Sequence, residues 1–106
     1  MKADLLEREF ARCAVSDRPR PLMLEPADAL ALIARATEEG VPIRAIDGVR
    51  VRDGRADAPR EQRADFSGAV AEGHGCWEDA DAFIRARRDL GLAFTLTLGT
   101  DPIEAV

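Results

Sequence analysis

The sequence predicts an α+β domain: a small, mainly antiparallel sheet with two main helices on one face and a further helix at the N-terminus. Three observations carry this expectation. Residues 26–39 and 77–90 show helical periodicity, the first bounded by Pro26 and Gly40 and the second with dipole-matched ends. Residues 92–98 alternate strictly between large apolar and small or hydroxyl side chains, as a strand covered on one face should. Two Asp-Gly pairs, Asp47-Gly48 and Asp53-Gly54, bracket Val49-Arg50-Val51-Arg52, which marks a hairpin. At 106 residues the chain reads as one domain, 1–106, with an N-terminal helix or arm over 1–18 and a tail over 99–106.

In chain order, residues 3–15 place Leu6, Phe10 and Cys13 at i, i+4 and i+7, a pattern for an amphipathic helix. That helix stops before Asp17-Arg18-Pro19-Arg20-Pro21, because proline lacks an amide donor and disfavours helix before it. Leu22-Met23-Leu24 is a short candidate strand. The helix over 26–39 starts at Pro26, which suits a first turn, carries Asp28 there, and stops at Gly40. Its expected buried face is Leu30, Ile33, Ala34 and Thr37, widened by Ala27. The hairpin that follows closes at either Asp-Gly pair. With Asp47-Gly48 as the turn, Arg44, Ile46, Val49 and Val51 share a face; with Asp53-Gly54 it moves onto 49–58. From Arg55 to Gly75 the pattern dissolves, and only Asp65–Ala71 hints at a strand. A connection this long is either a functional loop or one that hides a short element.

On the helix over 77–90, Trp77, Ala80, Phe83, Ile84 and Leu90 fall within an arc of about 140°. Asp81 and Arg85 form an i, i+4 pair, and Gly91 ends the helix. The last strand sends Leu92, Phe94, Leu96 and Leu98 to one face and Ala93, Thr95 and Thr97 to the other. The resulting order, β-α-β-β-loop-α-β, resembles the ferredoxin-like double βαβ arrangement (βαββαβ) in element order alone. Such a resemblance implies an architecture and no activity.

Composition narrows the function classes. Aromatics are few, so the core is expected to rest on Leu, Ile, Val and alanine. The net charge of −5 argues against a nucleic-acid binder, which needs clustered positive charge. Lys2 is the sole lysine; the arginine- and alanine-rich bias suggests a bacterial genome of high GC content. No apolar run approaches the length of a membrane span, and charges interrupt the N-terminus where a signal peptide needs an apolar stretch. The expected location is the cytoplasm, with Cys13 and Cys76 as thiols.

Chemistry concentrates in Gly73-His74-Gly75-Cys76-Trp77-Glu78-Asp79, which holds the only histidine and the only tryptophan. Cys76 stands at the expected N-cap of the second main helix, where backbone N–H groups lower a thiol pKa, and His74 could act as its base. The plainer reading is a glycine hinge, a cap, a core anchor at Trp77 and an acidic first turn that opposes a thiolate. No catalytic residue is assigned; Cys76 and His74 are the alternative. A metal site is not expected, since Cys76 and His74 supply two ligands and nothing in the spacing recruits Asp79 or Cys13. Arg87 falls inside the apolar arc, which points to snorkelling, to an anion contact, or to a buried pair with a carboxylate such as Asp65. Arg87, Arg50 and Arg52 are the candidate ligand contacts, with Arg55, Arg60 and Arg63 adding local basic character. The expected function is a non-catalytic binding module with no cofactor, whose partner is a protein or a small anion, with homodimerisation through an exposed sheet face as one form. The alternative is a small thiol-dependent enzyme using Cys76 and His74 on an anionic substrate.

Overall fold

The computed structural model describes residues 2–15, 22–52, 55–57 and 62–99. Helix α1 spans Lys2–Phe10 and runs on into one 3-10 turn, Ala11–Cys13. Strand β1 is Met23–Leu24, helix α2 Pro26–Glu39, strand β2 Ile43–Arg52, strand β3 Arg55–Asp57 and strand β4 Arg63–Asp65. Helices α3, Ser67–Ala71, and α4, Trp77–Arg87, precede strand β5, Ala93–Leu98. The α+β class follows, with an antiparallel sheet and helices packed against it.

The sheet order is β1-β5-β2-β3, with β4 also pairing β2, and every pairing is antiparallel. Directions follow from these pairings. β1 and β2 run the same way with β5 between them, and α2 joins them. β4 and β5 run the same way with β2 between them, joined through α3 and α4. Two split β-α-β units therefore interleave, as the element order suggested. The strand order differs from a ferredoxin-like sheet, which carries its first strand inside; here β1 lies at the edge and the last strand is interior.

One apolar cluster unites α1, α2, α4 and the sheet. Leu24, Leu32, Val41, Ile43, Ile46, Ile84 and Phe94 are its fully enclosed large side chains, each contributing roughly 1.5–3 kcal/mol relative to exposure. Leu92, Phe94, Leu96 and Leu98 all join it, so the alternation of the last strand is realised. A register shift between Ile43 and Ala45 puts both Ile43 and Ile46 into this cluster despite their odd spacing. On the opposite face lies a small cluster of strand residues, Met23, Val49 and Ala93. That face is less open than the alternation suggested: Thr95 is buried and Thr97 is exposed.

Several expectations are corrected. Asp47 and Gly48 lie inside β2, and Arg52 pairs with Arg55, so the hairpin closes beyond Arg52. Residues 53 and 54 lie outside the described residues. A side chain at Gly48 would press on Gln62 Cβ and Leu92 Cδ1, each 3.0 Å from an ideal Cβ; this close approach, and no turn, is the role of the glycine. Asp65–Ala71 is no strand: β4 ends at Asp65, whose Oδ1 accepts from the Ser67 amide at 2.9 Å and its hydroxyl at 2.6 Å, turning the chain into α3. Helix α2 has the expected bounds, but its buried face is rotated to Ala29, Leu32, Ile33 and Ala36; of the expected face Ile33 is buried and Leu30 packs partly buried against the core. Ala27, Ala34 and Thr37 are exposed. Helix α4 stops at Arg87, short of residue 90, and Leu90 is 49% exposed. The N-terminal helix is part of the core through Ala3, Leu6 and Phe10. Of the tail, Gly99 packs on Pro42 and residues 100–106 lie outside the described residues.

Candidate functional site

The segment joining α3 to α4 is built around Trp77. The first turn of α4 aims the indole back over Gly75, where an added Cβ would stand 2.4–2.5 Å from ring atoms. Trp77 Nε1 donates to the Val41 carbonyl at 2.7 Å, and the Ile43 amide donates to the Gly75 carbonyl at 3.0 Å. Glycine at 75 is thus required by the ring, and the indole is anchored at both its apolar body and its polar tip. Ala80 and Ile84 continue the same face into the core.

Cys76 is the N-cap residue of α4 but its side chain caps nothing. It adopts φ +61°, the left-handed region that β-carbon-bearing residues rarely occupy. Its Sγ points to the His74 carbonyl at 3.8 Å, a long contact. Burial, reinforced by the Asp79 carboxylate, pushes the thiol above its usual range. His74 is exposed, and no hydrogen bond joins its ring to the thiol among the described residues. Cys13 is likewise pushed upward, by burial and then by Asp28. No group of three or more His, Cys, Asp or Glu side chains able to hold a metal ion occurs among the described residues.

Arg87 lies at the margin of α4. Its guanidinium carbon sits 3.8 Å from the centroid of the Phe83 ring, a cation–π contact worth about 0.5–2 kcal/mol. Nε donates to Gln62 Oε1 at 2.8 Å and Nη1 to the Phe83 carbonyl at 3.2 Å. Phe83 in turn meets Phe94 edge-on, with centroids 6.4 Å apart. Asp65 is not its partner, being bonded to Ser67. Arg50 lies two residues beyond Gly48 on β2, and its Nε is enclosed with no hydrogen-bond partner. Leaving a buried donor of a charged group unmet costs about 1–3 kcal/mol or more. The side chain of Arg52 lies outside the described residues, as do those of Arg55 and Arg60. Arg63 stands 3.7 Å from the Asp47 carboxylate.

Among the described residues, two surface concavities matter for what they could hold. The larger, an open cleft of about 340 Å³, lies where α4 gives way to β5 and meets the start of α2. Val15, Pro26, Leu92 and Ala93 supply apolar wall, and Glu25 and Arg88 supply opposite charges. Val15 is 45% exposed there, and Leu90 beside Arg88 is also exposed. Sequence reasoning missed this site because its walls come from four separate segments. The smaller concavity, about 120 Å³, lies between α1 and α2 with Leu5, Leu6, Glu9, Arg35 and Glu39 around it. Arg35 bridges Glu9 at 2.9 Å and Glu38 at 2.7 Å, so this groove is spanned by an ion network that ties the helices together.

Compared with known proteins, the chain matches no family model and no curated protein. No helix among the described residues is long and apolar enough to cross a membrane.

Proposed function

We propose that this protein is a non-catalytic binding module of the cytoplasm that docks a protein partner at the cleft between the end of α4 and the start of α2. The observation that carries this reading is the cleft itself: a volume of about 340 Å³, apolar walls, and the opposite charges of Glu25 and Arg88 beside exposed Val15. Pockets of this size and lining suit an apolar anchor oriented by a few polar contacts. Such an anchor would come from a partner segment that also presents a carboxylate to Arg88. The net charge of −5 favours a partner with basic surroundings, since opposite charge speeds encounter.

Pull-down at low and high salt, paired with size-exclusion chromatography, tests the reading. A partner should be retained by the wild type and lost with Val15→Asp and with Arg88→Glu, both expected to fold. Absence of any partner and of self-association, or retention by both variants, overturns it.

The thiol-enzyme reading keeps Cys76 and His74 as nucleophile and base. Against it stand the upward-shifted thiol and the exposed histidine. Alkylation of Cys76 followed against pH decides between the two. The binding-module reading expects half-maximal rate above the usual thiol range; a midpoint near neutrality revives the enzyme.

A further inference from the structure

We infer that Arg50, Arg87 and Gln62 form a binding site for a phosphate group on the helix side of the sheet, next to the β2/β3 ribbon. The inference does not use the cleft at α4 and stands apart from it. Gly48 faces the helices, opposite Phe94, and the Gln62 side chain lies directly over it. Side chains repeat on one face every second residue, so Arg50 stands on that same face, about 7 Å along β2. Arg87 reaches Gln62 from α4. The three residues thus come from β2, the position just before β4 and the end of α4, with Arg87 and Gln62 in direct contact.

Each of them has donors left over. Arg50 Nε is enclosed without an acceptor. Arg87 commits Nε and Nη1, and no partner meets Nη2 among the described residues. Gln62 accepts through Oε1, so its amide NH₂ faces away from Arg87 with no acceptor described. Neither arginine lies within 4 Å of a carboxylate among the described residues. Two guanidinium groups and a side-chain amide, each with at least one donor unmet among the described residues, fit a dianionic group with several acceptor oxygens. Arginine's planar fork suits that geometry, and stacking on Phe83 holds one fork in place. By register Asp57 is the residue opposite Arg50 on β3.

The test is a titration of the full chain with inorganic phosphate at constant ionic strength, followed by NMR at the Gln62 side-chain amide and the arginine Nε–H signals. Saturable shifts centred on Gln62, Arg50 and Arg87 are expected. Affinity should fall tenfold or more in Arg50→Gln and in Arg87→Gln. Arg87→Lys, which keeps the charge but loses the fork, should fall between and guards against a folding defect in the glutamine variant. Acetate should bind at least tenfold more weakly than phosphate. Shifts that do not saturate, that centre elsewhere, or that persist unchanged in Arg50→Gln overturn the inference. Equal affinity for acetate overturns the phosphate assignment. Binding that appears only in Asp57→Asn also overturns it, because the chain's own carboxylate then fills the site.

Discussion

Gly75 and Trp77 show how a single residue choice is forced by its neighbour. The indole occupies the space where a side chain at 75 would stand, so Gly75→Ala must displace the ring, break its bond to the Val41 carbonyl, or both. A loss of about 2–4 kcal/mol in urea unfolding is expected, from overpacking plus an unmet buried carbonyl; a loss under 0.5 kcal/mol would refute the account. Titratable residues set the pH profile. Glu9 is held below its ordinary range by Arg35, and Asp65 by Ser67. A lowered folded-state pKa adds stability above the ordinary carboxylate range that is withdrawn as pH falls through it. The thiols of Cys13 and Cys76 shift upward, so their contribution is present below the ordinary thiol range and lost as pH rises beyond it. Asp65→Asn keeps an acceptor for Ser67 but cannot ionise. Its stability should fall less steeply than that of the wild type between pH 6 and pH 3, measured by urea unfolding. What the sequence revealed at this scale was the division of the segment before α4 into hinge, cap position and anchor. It could not show that Cys76 would take a left-handed conformation, since that follows from where Gly75 and Trp77 are pinned.

At the scale of elements, local signals placed helix ends better than helix faces. Pro26 and Gly40 bound α2 where expected, because caps are decided by a few adjacent residues. The buried face was only partly assigned, Ile33 correctly and Ala34 and Thr37 not, because α2 carries alanine on several sides and only tertiary packing against α1, α4 and the sheet selects among them. The difference is measurable. Ala36→Leu, at a fully buried position, should cost about 1–3 kcal/mol by overpacking. Ala34→Leu, on the face the periodicity favoured, should change stability by less than about 0.5 kcal/mol. The reverse order in thermal melts would mean that the helix is rotated. Strand alternation was legible in β5, where every second residue is large and apolar. In β2 it was obscured by the register shift near Ala45 and by Asp47-Gly48, a turn signal used within a strand. The 62–71 region hid β4 and α3 because neither is long enough to establish a period.

Across the whole molecule, the interleaved sheet makes every split unit depend on the other, since β5 separates β1 from β2 and β2 separates β4 from β5. Element order was readable from the chain, but strand order was not, because neighbours in this sheet are chosen by pairing across distant segments. The Arg87–Gln62 contact has the same origin: Arg87 was visible as a candidate, but its partner glutamine was not. One small segment gathers these dependencies. Between α2 and β2, the Val41 amide donates to Ala36, the Val41 carbonyl accepts Trp77, the Pro42 carbonyl accepts the Gly99 amide at 2.8 Å, and Ile43 donates to Gly75. Gly99 also has no room for a Cβ against the Pro42 ring. Three consecutive residues therefore hold the exit of one helix, the start of another and the end of the last strand. Amide hydrogen exchange should reveal this: the Ile43 and Gly99 protons should exchange at the rate of global unfolding, although both lie at element ends where fraying is the rule. Opening this seam locally would release three distant segments together, so the molecule has no inexpensive partial opening at that end.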